Sequence, residues 1–144
     1  MESYTLMTLT DCIFCDIINK KLPCHLIYND NNQIAILDKY PIDIGHTLII
    51  TKKPHEKLTD MSIDEITELF SRIPKIVNAI IKATKADAFS IAQNNGKAAK
   101  QIVPHVHVHI IPRYNATGTL WTQRKIMKDS ELNELAQKIR NFIE

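Results

Sequence analysis

Residues 104–113 read PHVHVHIIPR, and this stretch places histidines at positions 105, 107 and 109 with aliphatic residues between them. The alternation favours a β-strand, and a proline near each end marks its limits. Successive strand side chains point to opposite faces at about 3.3 Å per residue, so the three histidines should line one face at intervals of roughly 6.6 Å. Such a row of imidazoles can bind a metal, move protons, attack phosphorus or serve as a plain polar face.

Composition narrows the class of protein. The chain has 144 residues, which suits one domain over residues 1–144, and it is 44% hydrophobic. The net charge of +2 is too small to argue for a nucleic-acid partner. There is no apolar run near 18 residues and no signal-peptide pattern at the start, so no membrane association is expected. Three cysteines, two of them in a C-x-x-C at 12–15, favour a reducing compartment, and we expect a cytoplasmic protein.

Periodicity predicts an α+β fold. Five strand-like segments are separated by turns, and their short connections predict an antiparallel meander with helices on one face. Between the third and fourth strands, a capping box of Ser62 and Glu65 opens one long amphipathic helix, which Pro74 should kink. A C-terminal helix over about 130–143 is expected to bury Leu132 and Phe142 among its apolar residues.

Three segments resemble the histidine triad (HIT) nucleotide-binding proteins, in the right order. These are CIFCDII at 12–18, AILDKYPIDIGHTLIITKKPH at 35–55 and NNGKAAKQIVPHVHVHIIPR at 94–113, which together span about residues 12–114. The C-x-x-C is typical of bacterial members of the Hint-like branch. The resemblance implies a homodimer joined into one continuous sheet. It also implies hydrolysis of the bond to the α-phosphate of AMP-like or GMP-like nucleotides, such as nucleoside phosphoramidates or dinucleoside polyphosphates.

The resemblance also assigns catalytic roles. It makes His107 the nucleophile that forms a nucleotidyl-histidine, with His109 as a donor beside the phosphate. Gln101 matches a glutamine that faces the phosphate and the leaving group. The chemistry suits these residue types, because a neutral imidazole is a good nucleophile near neutral pH. Without the upstream segments, three surface histidines on an amphipathic strand would be a serious alternative.

The nucleotide pocket follows by position from the same resemblance. Asp38 matches the acid that accepts both ribose hydroxyls, and a carboxylate has two oxygens for that purpose. Asn94 matches an amide that contacts ribose or phosphate, and His46 matches a histidine that supports the site. The apolar walls around the base correspond to Ile13, Phe14, Ile17 and Ile36.

A structural zinc site is the second expectation. Cys12 and Cys15 lie three apart on a short helix, so both sulfurs can point the same way, and two more ligands would close a tetrahedral site. In the resemblance these ligands are His55 and His105. Four protein ligands leave no open position, so the zinc would be structural. The alternative is a pair of reduced, half-buried thiols.

Other functions use the same residues. A nucleotide-binding regulator with little turnover needs the same pocket. An open metal chelate built on the three histidines would leave Asp38 and Asn94 unexplained. A nucleotidyl transferase ranks lower, because the related transferases are longer. Lys100 and Ile102 also stand where the family has glycine and serine or threonine, which predicts slower turnover of phosphoramidates.

Overall fold

The structure is a computed structural model that describes residues 12–118, 121 and 123–143. Its strands are β1 (Leu26–Asn29), β2 (Gln33–Leu37), β3 (Thr47–Thr51), β4 (Ala88–Ala92) and β5 (His107–Arg113). Its α-helices are α1 (Ile13–Ile18), α2 (Ile63–Ser71), α3 (Ile73–Thr84) and α4 (Asp129–Arg140). Short 3₁₀ helices cover Leu58–Asp60 and Lys97–Ala99.

The five strands form one antiparallel sheet, as predicted, but their order differs from a meander. The order is β1-β2-β3-β5-β4, so β5 lies between β3 and β4. Both β3 and β4 pair antiparallel with β5 and therefore run parallel to each other. Parallel strands need a long crossover, and α2 and α3 supply it. The meander was wrong at this point because a helical connection does not return the chain to the adjacent position.

The predicted long helix is two helices. α2 begins at the capping box, in which the Ser62 hydroxyl accepts from the Glu65 N–H and the Glu65 carboxylate accepts from the Ser62 N–H. α2 ends at Ser71, and Pro74 occupies the first turn of α3. Proline is tolerated there because the first-turn N–H groups have no partner within the helix. Pro74 therefore accompanies a new helix start instead of kinking a continuous one.

Helices cover both faces of the sheet, which corrects the expectation that they lie on one face. The larger apolar cluster joins one sheet face to α2, α3 and α4, where Leu132 and Ile139 are buried. α1 packs on the other face, where Phe14 contacts a smaller cluster from β2 and β3. Phe142, expected to be buried, follows α4 and is 39% exposed.

The face that α1 covers also holds the triad histidines. Along β5, Val108 and Ile110 belong to the larger cluster, so His107 and His109 point to the opposite face. None of the helices formed by the described residues is both long enough and apolar enough to span a bilayer.

Candidate active site

His107 begins β5 and presents a neutral imidazole. Its side chain is buried, and its Nδ1 lies 2.7 Å from the backbone carbonyl oxygen of His105. A carbonyl oxygen only accepts, so Nδ1 carries the proton and donates, while Nε2 keeps a lone pair. Burial lowers the pKa of His107 below its ordinary value of 6.5, so the ring is neutral at pH 7. The ring therefore offers an unprotonated nitrogen.

His46 and His109 form a hydrogen-bonded relay beside it. The Ile42 N–H donates to His46 Nδ1 at 3.0 Å, so the proton of His46 lies on Nε2. That nitrogen lies 2.9 Å from His109 Nδ1 and donates to it, which leaves the proton of His109 on Nε2. Burial, together with the neighbouring His109, lowers the pKa of His46 to about 2. Burial and the neighbouring His107 lower the pKa of His109 to about 4. Both rings are therefore neutral, and His109 presents an N–H donor.

A glycine turn brings His46 into this relay. Gly45 has φ +92°, in the left-handed region that favours glycine. A Cβ there would lie 3.0 Å from both the Pro112 Cγ and the Thr84 Cγ2, so a side chain would also collide with its neighbours. The chain then enters β3, which pairs with the triad strand through Leu48 opposite His109. The sequence Gly-His therefore sets the position of the second imidazole.

Asp38 follows β2 and lies at the end of the relay. Its Oδ1 accepts from the Tyr40 N–H at 2.9 Å, and its Oδ2 lies 3.7 Å from His46 Nε2. The same Oδ2 accepts from Arg124 Nη1 at 3.0 Å. The Asp38 side chain is 16% exposed, so it remains reachable from solvent. Both of its oxygens already have partners in this structure.

An apolar pocket of about 600 Å³ lies next to the triad. Ile13, Phe14, Ile17 and Ile36, the four predicted wall residues, all line it, together with Asp38. The Phe14 ring centroid lies 4.9 Å from that of His107, so the pocket adjoins the neutral imidazole. A cavity of about 740 Å³ also opens beside α1, but none of the histidines lines it. The smaller pocket is therefore the one that the chemistry can use.

A polar rim closes the pocket where α4 begins. His25 Nδ1 lies 2.8 Å from Asn133 Oδ1, and its Nε2 lies 3.1 Å from Asp129 Oδ1. All three residues line the pocket. The sequence interpretation gave none of them a role, because they belong to no motif and are separated by more than 100 positions along the chain.

The loop before the triad uses Gln101 differently from the expectation. Gln101 is buried; its Oε1 accepts from the Gly96 N–H at 2.7 Å and its Nε2 donates to the Glu56 carbonyl at 2.6 Å. Both polar ends of the side chain are thus bonded to backbone groups and brace the loop. Asn94 lies half-buried just after β4, two residues beyond Ala92, which pairs with His109.

Cys12, Cys15 and His105 converge into one cluster. His105 Nδ1 lies 3.2 Å from the Cys12 Sγ and 3.4 Å from the Cys15 Sγ. Its Nε2 donates to the Thr51 carbonyl at 2.6 Å, so Nδ1 holds the lone pair that faces the sulfurs. Their ligand atoms all lie within 4.8 Å of one another, and this group could hold a metal ion. His105 precedes β5, so the strand itself carries two of the three histidines.

His55, the predicted fourth ligand, lies beside this cluster but outside it. Its backbone carbonyl accepts from the Val106 N–H at 2.8 Å, next to His105. Its Nε2 lies 2.9 Å from Glu65 Oε2. Burial and the neighbouring Cys12 thiol raise the pKa of Cys15 to about 11, so the two sulfurs need a cation to become thiolates together. Two sulfurs and an oriented imidazole nitrogen are donors that suit zinc.

Comparison with known proteins agrees with this geometry. The family model described as HIT domain matches residues 19–116. The chain belongs to the HIT domain family. An adenylylsulfatase of Arabidopsis thaliana, HINT3, is 37% identical over 99% of this chain and 74% of its own length. An adenosine 5′-monophosphoramidase of Schizosaccharomyces pombe is 32% identical over 92% of this chain and 98% of its own length.

A solved HIT structure supports both the fold and the interest of the cysteine cluster. The zinc-bound histidine triad family protein from Mycobacterium smegmatis superposes with a TM-score of 0.81 and 34% identity, over 92% of this chain and 93% of that one. The α+β fold predicted from the sequence is thus confirmed as a HIT fold. Arg124 and α4 lie after residue 116, outside the part that the family model matches.

Proposed function

We propose that this HIT protein hydrolyses the bond to the α-phosphate of nucleotides, such as adenosine phosphoramidates or dinucleoside polyphosphates, through a nucleotidyl-His107 intermediate. The observation that carries the proposal is the tautomer of His107, whose Nε2 keeps its lone pair beside an apolar pocket. The names of the adenylylsulfatase and monophosphoramidase relatives support a reaction at an adenylyl group.

The reaction proceeds in two displacements at phosphorus. His107 Nε2 attacks the α-phosphorus, a P–N bond forms, and the bond to the leaving group breaks with its electron pair. The His109 Nε2–H donates to a phosphate oxygen as charge develops there. Water then attacks the same phosphorus, the P–N bond breaks, the nucleoside monophosphate leaves, and the water proton goes to solvent. His46 is a positioning residue, because it holds the tautomer of His109.

The pocket supplies binding. The apolar walls enclose the base, Asp38 accepts the ribose hydroxyls, and Asn94 lies at the phosphate end, two residues beyond the partner of His109. Gln101 acts through the loop that it braces, since both of its polar ends are occupied by backbone groups.

Zinc held by Cys12, Cys15, His105 and His55 would complete the site as a structural element. It would neutralise two thiolates and tie α1 to the residue that precedes β5. The Thr51 carbonyl on His105 and the Glu65 carboxylate on His55 are the outer partners that metal-binding histidines usually have.

A homodimer built on β4 is part of the proposal. β4 lies at the edge of the sheet and exposes Phe89 at 42% and Ile91 at 46%. An unpaired edge strand with apolar side chains offers backbone and side-chain partners to a second copy. We also place the protein in the cytoplasm, because its cysteines suit a reducing compartment.

A nucleotide-binding regulator with little turnover is the alternative. Ile102 is 87% exposed and has no donor for a leaving group, and the amide of Gln101 is already engaged. Both features are consistent with slow chemistry on a good binding site.

The deciding experiment is mass spectrometry after brief mixing with an adenosine phosphoramidate. We expect an adenylyl adduct on the peptide that contains His107 in the wild type, and none in His107→Ala. Turnover without any adduct would reject the covalent mechanism. Tight nucleotide binding with neither adduct nor turnover would favour the regulator.

A further inference from the structure

The chain segment 123–128 lies along the loop that follows β2. Arg124 Nη1 donates to Asp38 Oδ2 at 3.0 Å and to the Tyr40 carbonyl at 2.9 Å. The Lys125 N–H donates to the Pro41 carbonyl at 2.7 Å. Three hydrogen bonds therefore hold this segment against the loop that carries Asp38. The segment lies outside the part of the chain that matches the HIT domain.

Arg124 competes for the group that the proposed function gives to the ribose. Asp38 Oδ1 accepts from the Tyr40 N–H, and Asp38 Oδ2 accepts from Arg124. Two ribose hydroxyls need both carboxylate oxygens as acceptors. The Arg124 side chain is 41% exposed, and ion pairs at such positions are weak enough for a ligand to exchange.

Arg124 also lies within electrostatic reach of the relay. Its charge is among the causes that lower the pKa values of His46 and His109. Those two histidines face the place where a phosphate would bind beside His107. A guanidinium released from Asp38 would therefore remain close to an anion bound there, and guanidinium groups bind phosphate oxygens well.

We propose that Arg124 is a specificity-determining residue that exchanges its bond with Asp38 for a bond with the phosphate of the bound nucleotide. The inference rests on the proposed function, because it takes Asp38 as the ribose acceptor. Ribose hydroxyls displace the guanidinium from Asp38 Oδ2, and the α-phosphate receives it. A nucleoside breaks the same pair but offers no anion in return. Arg124 thus selects phosphorylated ligands over free nucleosides.

The test is to measure the Kd of adenosine and of AMP by calorimetry in wild type and Arg124→Gln. Freeing Asp38 should strengthen adenosine binding by about twofold to fivefold, the range of a weak ion pair. Losing the cation should weaken AMP binding by about threefold to tenfold. The selectivity for AMP over adenosine therefore falls by roughly tenfold or more. Opposite signs are the signature, since a merely structural role would weaken both ligands together.

Lys125→Gln is the matched control, because it removes the same charge from the same segment. Its Nζ lies 3.9 Å from Asp43 Oδ1 and makes no printed contact with Asp38 in the described residues. We expect its selectivity to equal that of the wild type. Arg124→Lys keeps the charge and should keep more of the AMP selectivity than Arg124→Gln does.

Three results would overturn the inference. Equal changes for both ligands in Arg124→Gln would make Arg124 structural, and an equal loss of selectivity in Lys125→Gln would reduce the effect to net charge. If wild type binds AMP and Arg124→Gln leaves its selectivity unchanged, only the role of Arg124 fails. If wild type binds neither adenosine nor AMP, the proposed function fails as well.

Discussion

His105 and His107 lie two residues apart and have opposite tautomers. In His105, Nε2 donates to the Thr51 carbonyl, and Nδ1 faces the two cysteine sulfurs. In His107, Nδ1 donates to the carbonyl of His105, and Nε2 keeps the lone pair. A backbone carbonyl therefore decides which nitrogen each ring offers. One ring is oriented to bind a metal and the other to attack phosphorus.

The comparison teaches that residue type and spacing give the row of imidazoles but not their roles. His105 lies just before β5, in a bend where its ring can reach α1. His107 is the first residue of the strand and faces the pocket beside Phe14. The two centres are thus separable by mutation, although they share one short stretch of chain.

The largest expected effect is on chemistry at His107. His107→Ala removes the nucleophile and should lower kcat/KM on an adenosine phosphoramidate by at least roughly 10⁴-fold. AMP binding should persist, because Asp38 and the apolar walls remain. Steady-state kinetics and calorimetry check both statements. Wild-type turnover in this variant would contradict the mechanism.

The metal centre should control stability more than chemistry. The double variant Cys12→Ser with Cys15→Ser should lose bound zinc and lower Tm by more than about 10 °C, because structural zinc contributes several kcal/mol to folding. Metal analysis and thermal unfolding measure this. Cys24→Ser is the control, since Cys24 is half-buried outside the cluster. Equal metal content in the double variant would remove the cysteines from the ligand set.

His46 should have an intermediate effect through His109. In His46→Phe, His109 Nδ1 loses its donor, and nothing then selects the tautomer with the proton on Nε2. We expect kcat to fall by about tenfold to a hundredfold, the range of one acid–base or donor group. His46→Gln should recover part of this, because an amide can accept from the Ile42 N–H and donate to His109. Equal losses in both variants would indicate a packing role only.

The sequence predicted this site unevenly, for physical reasons. The three segments around 12–18, 35–55 and 94–113 contain the triad, the cysteine pair and the pocket walls, because each function needs particular residue types at fixed spacing. The order of β4 and β5 was missed, because strand pairing depends on where a long crossover returns. The engagement of Gln101 by Gly96 and Glu56 depends on a loop conformation that no residue type specifies.

Arg124 could not be found from the sequence at all. A single arginine in a polar segment carries no periodicity or spacing, and its partner Asp38 lies 86 residues away along the chain. The same holds for His25 and Asn133. Contacts between distant, motif-free residues require coordinates, whereas residues held by one strand or one helix do not.

The departures at Lys100 and Ile102 should have a smaller effect. Lys100 has φ +63°, in the region that favours glycine, and Ile102 is 87% exposed. Lys100→Gly with Ile102→Ser relieves the backbone and restores a hydroxyl donor. One neutral hydrogen bond is worth about 0.5–1.5 kcal/mol, so kcat/KM on a phosphoramidate should rise by roughly threefold to tenfold.

Substrates with anionic leaving groups should gain less from this double change, because Lys100 itself offers them a cation. Lys85→Gly is the control: Lys85 has φ +60° at the end of α3, far along the chain from the triad loop. It relieves the same kind of backbone strain without adding a donor. Equal gains on phosphoramidate and polyphosphate substrates would contradict this account of the departure.

The smallest effect concerns protonation of the relay. With a pKa of about 4, His109 should be only a few per cent protonated at pH 5.5, whereas a histidine with the ordinary value would be about 90% protonated. NMR titration of the ring carbons measures this directly. The unfolded chain takes up protons at His46 and His109 below pH 6.5 and the folded chain does not, so the free energy of unfolding should fall as pH falls. Titration of His109 near pH 6.5 would show that burial does not hold the relay neutral.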